Sequence, residues 1–244
     1  MAITAAKPTA EQGPALAPEA IPPLEPGDRL TRAEFERRYQ AMPQLKKAEL
    51  IEGIVYMPSP VRMKQHAGPH GNIVTWLGTY QAYTPGAECG DNATNRLDGD
   101  NEPQPDAVLR ILPAFGGQTR DADDDYIEGA PELVAEVAAS SASYDLHAKK
   151  NAYRRNGVRE YIVWLVREAR IIWWRLEDGE FVEIDVSDGP LRSEVFPGLW
   201  LNPDALLSGD MKGVLDSLQA GINSPEHAAF CEALAARHEN RGNR

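Results

Sequence analysis

The sequence predicts an α/β sandwich built around a mixed β-sheet. Two observations carry this. Apolar residues switch between helical and strand periodicity in the order helix, strands, helix, strands, an alternation that places helices on a sheet containing both parallel and antiparallel neighbours. The chain has 244 residues, 42% hydrophobic and 25% charged, which suits one sizeable soluble domain with tails rather than two large domains.

Residues 1–27, rich in Ala, Pro and Glu, read as a disordered leader. They have neither a basic start nor an apolar core of the kind a signal peptide needs. Order is expected from Leu30. Thr31 and Glu34 have capping-box spacing, and Leu30 and Phe35 stand at hydrophobic-staple positions, so a helix should run to about Tyr39. Ala48–Met57 carries β-branched residues around Gly53 and is stopped by Pro58 and Pro60; it reads as two short strands or one hairpin. From His66 or His70 to Tyr83, Ile73, Val74, Trp76, Leu77 and Tyr80 recur at helical spacing.

The middle of the chain turns to strands. Ala107–Leu112 follows a proline-rich lead, an acidic loop covers 116–125, and Glu132–Ala138 follows it. Ser140–Asn156 reads as a polar helix closed by Gly157. Tyr161–Val166, Arg170–Leu176 and Phe181–Val186 read as a three-strand meander in which Trp173 and Trp174 face opposite ways, one to the core and the other to an interface or the surface. The domain is expected to span 28–207, with 208–244 as a C-terminal helical extension. No apolar run approaches the ~18 residues that cross a bilayer, and a cytoplasmic protein is expected. Cys89 and Cys231 fit no metal-ligand spacing and read as reduced thiols. A formal net charge of −12 argues against a bulk nucleic-acid coat, whose affinity comes from many Lys/Arg–phosphate contacts. An acidic chain with its bases gathered at one site is not excluded.

Several residues stand out chemically. Glu136 lies inside the apolar strand Leu133–Ala138, on the face of Val134 and Ala138, where a carboxylate is costly unless paired, protonated or bound to metal. Asp106 opens the preceding strand after Pro105. If the two strands are neighbours, their carboxylates meet at one end of the sheet and repel unless a cation lies between them. Mg²⁺ suits such oxygen donors; a turn-capping Asp106 and an interior ion pair at Glu136 explain the same pattern equally well. Asp145, Lys149 and Tyr153 follow at i, i+4 and i+8 on one helix face. Lys149 there would orient water or steady charge at a phosphate, or merely form a surface pair with Asp145. Around them lies the most basic stretch of the chain: Lys149, Lys150, Arg154, Arg155, Arg159, Arg167, Arg170 and Arg175. His66 and His70 have the i,i+4 spacing of a helical zinc pair, but Pro69 between Gly68 and Gly71 argues against a regular helix there, and no HExxH context supports zinc. His66 is instead expected to cap or to contact substrate near the site.

Pro105-Asp106, then Glu132-Leu133-Val134-Ala135-Glu136-Val137, then Asp145, Lys149, Tyr153 and Gly157-Val158-Arg159-Glu160-Tyr161, in this order and spacing, resemble the Uma-type restriction endonuclease family, a bacterial branch of the PD-(D/E)XK nuclease superfamily. The likeness runs from Glu49-Leu50-Ile51-Glu52-Gly53 to about Pro197-Gly198-Leu199. It implies a restriction-endonuclease-like core and Mg²⁺-dependent hydrolysis of DNA, with Mn²⁺ as a substitute. Asp106, Glu136 and the Val137 carbonyl would hold metal, Lys149 would be catalytic, and Tyr153 would pack and hydrogen-bond behind Lys149. Glu49 or Glu52, at the family's early acidic position, would complete the site. The resemblance also makes a homodimer reasonable, since many such nucleases pair to cut both strands. Two departures stand. The superfamily's lysine position, two after the acid, is Ala138 here, so Lys149 must reach in from the next helix, as in the Uma-type branch. Val163-Trp164-Leu165-Val166 lacks the Asp-Pro turn that ends this strand in many relatives.

Two classes of function remain from the sequence: a metal-dependent DNA endonuclease, and a non-catalytic nucleic-acid- or protein-binding module that keeps the nuclease fold. The co-occurrence of Asp106, Glu136 and Lys149 favours the first, and the overall acidity the second. The residues alone do not separate DNA from RNA or another phosphodiester.

Overall fold

The structure is a computed structural model that describes residues 20–57, 62–139, 141–185 and 189–242. Pro58, Pro60, Ser140, Val186 and the first 19 residues of the expected leader lie outside the described residues.

Helix α1, Arg32–Gln40, begins at Thr31, whose hydroxyl accepts the Glu34 N–H at 3.4 Å. Only half of the capping box forms, because the Glu34 carboxylate turns to Arg37 and Arg38 instead. Packing starts earlier than Leu30: Leu24 is buried with Phe35, Leu50 and Val55, and the Gly27 N–H donates to the Val55 carbonyl at 2.8 Å. Strands β1, Glu49–Ile51, and β2, Ile54–Tyr56, form the hairpin, with Ile51 opposite Ile54. Its two turn residues, Glu52 and Gly53, both have positive φ, 54° and 71°, as a type I′ turn requires.

The main sheet has six strands: β3 Ala87–Asp91, β4 Ala107–Ile111, β5 Leu133–Ala138, β6 Glu160–Leu165, β7 Arg170–Glu177 and β8 Glu180–Glu183. Their spatial order is β8-β7-β6-β5-β4-β3. Only β5 and β6 run parallel; every other neighbouring pair is antiparallel. The parallel step requires a crossover, and the segment between β5 and β6 supplies it as α3 Ala142–Tyr144, a π-helical turn Asp145–Lys149, and α4 Lys150–Asn156, ending on Gly157 at φ 83°. On the other face lies α2, Gly68–Tyr83, entered through a π-helical turn Met63–Ala67 with Pro69 in its first turn. The wider π-helical turn before it interrupts the regular i→i−4 ladder, which is where a proline, lacking the N–H, can be accommodated. The helical path therefore continues through Pro69, but as a π-helical turn over His66 rather than the regular helix the sequence argued against.

Both faces of the sheet are covered. Trp76, Leu77, Tyr80, Leu109, Ala135, Val137, Ile162, Trp164 and Trp173 build one core layer; Val108, Val134, Ala138, Tyr153, Tyr161, Val163 and Trp174 build the other. Trp174 is therefore interior too, with Lys150 Nζ 4.0 Å from the centre of its ring. Helices α5 Pro203–Ser208, α6 Met211–Ile222 and α7 Pro225–Gly242 complete the chain. Val214, Leu218, Ile222 and Leu234 enter the first core layer, so α6 and α7 pack against the sheet-bearing part of the chain. Among the described residues, no helix is long and apolar enough to cross a membrane.

Candidate functional site

The site is assembled at one end of β4 and β5. Ala107 pairs with Ala135, so the antiparallel register carries Asp106 to the level of Glu136. Side chains alternate along a strand, which puts Glu136 with Val134 and Ala138, on the face covered by the crossover helices. Asp106 is buried, and its Oδ2 accepts the Val137 N–H at 2.7 Å.

Lys149 reaches Glu136 from the crossover. Its Nζ donates to Glu136 Oε1 at 2.8 Å, and the Tyr153 hydroxyl donates to the same oxygen at 2.9 Å. The ammonium also lies 2.9 Å from Glu49 Oε1, 3.9 Å from Asp145 Oδ1 and 5.1 Å from the centre of the Tyr144 ring. The π-helical turn makes this possible. Wider turns of this kind re-aim side chains, and here both Asp145 and Lys149 point into the protein, with side chains only 3% and 4% exposed. An ordinary surface pair is thereby ruled out. Glu49 is fixed from a third direction: its Oε1 accepts the Gln104 N–H at 2.7 Å, and Tyr144 Oη lies 3.4 Å from its Oε2.

Three buried carboxyl groups, Glu49, Glu136 and Asp145, thus share one buried ammonium, and a fourth, Asp106, is buried beside Glu136 at the strand end. Burial pushes Glu136 up to about 8; Lys149 opposes this, while Asp145, Asp106 and Glu49 add to it. Asp145 is pushed up to about 6, again by burial first. Burial works to lower the Lys149 pKa, but Glu136 and Glu49 hold it well above the usual lysine value, so it stays charged. Burial also works against ionisation of Asp106, yet His66 and the Val137 N–H keep its pKa below the usual aspartate value.

His66 sits between two of the expected metal ligands. Its Nδ1 is 2.9 Å from the Val137 carbonyl oxygen and its Nε2 3.2 Å from Asp106 Oδ1. The hydrogen bond to Asp106 raises its pKa despite opposing burial.

Asp106, Glu136, Lys149, Glu49, His66, Asp145 and Tyr153 all enter one contiguous cluster. Glu52 does not. It occupies the β1–β2 turn and pairs with Arg155 at 2.8 Å, so of the two early acids only Glu49 belongs. Sequence reasoning missed Tyr144, five residues before Lys149, which only the π-helical turn brings beneath the ammonium. It also set aside His70, whose spacing from His66 was the one available signal. Part of the basic stretch is engaged by acids: Arg154, Arg155, Arg170 and Arg175 pair with Glu180, Glu52, Glu183 and Glu177 respectively. A cleft of about 400 Å³ lined by Arg32, Arg96 and Arg120 contains none of the cluster residues, and its arginines pair with Glu36, Asp124 and Glu128.

The donor types are those a hard divalent cation accepts. Asp106 Oδ1, the Glu136 carboxylate and the Val137 carbonyl are all oxygen donors of the kind Mg²⁺ takes. An excess of acids over bases in a buried cluster is a setting that a cation relieves.

A model of the Uma2 family, described as "Putative restriction endonuclease", matches residues 32–204. No curated protein matches the chain. Among solved structures, the chain is similar to a putative nuclease belonging to DUF820 from Anabaena variabilis ATCC 29413. The identity is 16% over 70% of this chain and 96% of that one, with a TM-score of 0.54; this likeness is one of fold.

Proposed function

From the premise that this chain belongs to the Uma2 putative restriction endonuclease family, we propose that it is a metal-dependent endonuclease hydrolysing DNA phosphodiester bonds at the Asp106–Glu136–Lys149 cluster. The observation that carries the reading is the buried Lys149 ammonium held on Glu136 at 2.8 Å, at the strand end where Asp106 stands opposite. A lysine buried among acids is expensive to maintain, and an inert fold would do as well with apolar residues there.

Asp106, Glu136 and the Val137 carbonyl would hold Mg²⁺ or Mn²⁺, which when bound would polarise the scissile phosphate and acidify a water. The chain's own residues do the remaining work. Lys149, kept charged by Glu136 and Glu49, supplies positive charge toward a phosphate and orients the water by hydrogen bonding. Tyr153 donates to Glu136 Oε1, which fixes that carboxylate's rotamer. Glu49 and Tyr144 hold the lysine in place from the hairpin side and from the start of the crossover. His66 orients Asp106.

The test is cleavage of supercoiled and linear DNA with Mg²⁺ or Mn²⁺, comparing wild type with Asp106→Ala, Glu136→Gln and Lys149→Met, each checked for folding by circular dichroism. Metal-dependent nicking lost in all three folded variants is expected. Cleavage that survives in all three refutes the site. No cleavage by wild type of methylated or unmethylated DNA transfers the assignment to the non-catalytic binding module.

A further inference from the structure

We propose that His66, His70 and Asp106 form a cation site, overlapping the proposed hydrolytic site at Asp106, that takes a borderline divalent ion of the Zn²⁺ and Co²⁺ class in preference to Mg²⁺. The proposal concerns cation binding and does not rest on nuclease activity.

The continuous helical path through Pro69 brings the two histidines together, with ring centres 5.6 Å apart. One ligand atom from each of His66, His70 and Asp106 lies within 4.8 Å of the others. Rotamer adjustments of about an ångström would gather them around one ion at ligand distances near ~2.0–2.2 Å.

The orienting contacts are already made by the main chain of Val137. A metal-bound histidine generally donates its second ring N–H to a carbonyl or carboxylate, which fixes the tautomer. His66 Nδ1 lies 2.9 Å from the Val137 carbonyl oxygen, so a proton there leaves Nε2 as the ligand atom, 3.2 Å from Asp106 Oδ1. The Val137 N–H in turn holds Asp106 Oδ2 at 2.7 Å, leaving Oδ1 facing the histidine. His70 adds a second imidazole, whose Nε2 lies 2.8 Å from Asp91 Oδ1 on the edge strand β3. His70 and Asp91 side chains are 15% and 58% exposed, which gives an ion a path in from solvent.

The chemical choice follows from the donors. Two imidazoles with one carboxylate suit the later first-row transition ions and zinc, whereas Mg²⁺ keeps to oxygen donors and gives up water reluctantly. Because Asp106 is shared with the proposed hydrolytic site, the imidazole pair would decide which cation this end of the sheet takes.

The experiment is isothermal titration of the full chain with Zn²⁺, in parallel with Co²⁺ binding followed by visible absorption. The variants are His70→Ala, on the accessible side of the site, and His66→Ala. One ion per chain is expected, undisplaced by excess Mg²⁺, without the sulfur-to-cobalt charge-transfer band that Cys89 or Cys231 would produce. Each variant should bind at least about tenfold more weakly, the least that disturbing even an outer contact of a metal site costs. His70→Ala decides the matter if His66→Ala fails to fold. Absence of Zn²⁺ and Co²⁺ binding, affinity unchanged in His70→Ala, or a sulfur charge-transfer band overturns the proposal. Because the readout is binding, a wild type that binds Zn²⁺ yet cleaves nothing refutes only the nuclease reading, and one that cleaves with Mg²⁺ yet binds no Zn²⁺ refutes only this one.

Discussion

Replacing Lys149 by Met should destabilise the fold far more than replacing its partner Glu136 by Gln. Met keeps most of the apolar stem but removes the ammonium, which lies 2.8 Å from Glu136, 2.9 Å from Glu49 and 3.9 Å from Asp145. Removing one member of a buried pair, so that the remaining charge is uncompensated, costs about 3–5 kcal/mol; here three carboxyl groups lose their shared cation. Glu136→Gln, by contrast, leaves Lys149 with Glu49 and keeps an acceptor for the Tyr153 hydroxyl, so its cost should be that of a weakened hydrogen-bond network, about 1–3 kcal/mol. The sign of the pH effect follows from the acids. Burial already pushes Glu136 up to about 8 and Asp145 up to about 6, and loss of the lysine pushes both further up. Raised carboxyl pKa values make the folded state bind more protons than the unfolded one, so stability rises as pH falls toward the unfolded carboxyl range. The Lys149→Met deficit should therefore shrink between pH 8 and pH 5. Urea unfolding of both variants at pH 8 and pH 5 measures this. A Lys149→Met protein within about 1 kcal/mol of wild type at pH 8, or one whose deficit grows on acidification, would refute the claim that this ammonium neutralises the acid cluster.

Two further predictions concern regions away from the site. Glu102 is fully buried, and burial first, then the adjacent Glu36, pushes its pKa up from 4.5 to about 8. Its contribution is present in full below about 4.5 and is lost as pH rises to about 8, so Glu102→Gln should lose stability less steeply over that window and exceed wild type at pH 8.5; identical pH profiles in thermal melts would contradict this. At Gly221, an added methyl group would strike the Gly198 carbonyl oxygen and the Trp200 ring. Gly221→Ala should thus cost about 1–3 kcal/mol by overpacking, despite alanine's better helix propensity, and a stabilised variant in urea melts would show that this contact gives way.

By itself the sequence determined the element order, the type of most elements and the membership of most of the site. Periodicity of two and 3.6 is a local property, so β4, β5, α1 and the meander could be read from neighbours in the chain. Asp106, Glu136, Lys149 and Tyr153 were visible because a charged residue in an apolar strand, and charges on one helix face, are local anomalies too. Only the tertiary structure decided what depends on register and on which faces are covered. The β4–β5 register puts Asp106 opposite Glu136. The π-helical turn swings Lys149 and Asp145 inward and brings Tyr144 under the ammonium, a change of one residue per turn that no i,i+4 rule anticipates. The type I′ turn points Glu52 toward Arg155 and leaves the site to Glu49. Coverage of the sheet on both faces buries Trp174, and glutamates remote in sequence pair with Arg154, Arg155 and Arg170, which looked free in the linear sequence. The π-helical turn before Pro69 lets the helical path run on through it, so His66 and His70, separable on paper, stand together beside Asp106. The physical reason is common to all of these: chain-local sterics and hydrophobicity write the elements, whereas a charged side chain's partner is set by long-range packing.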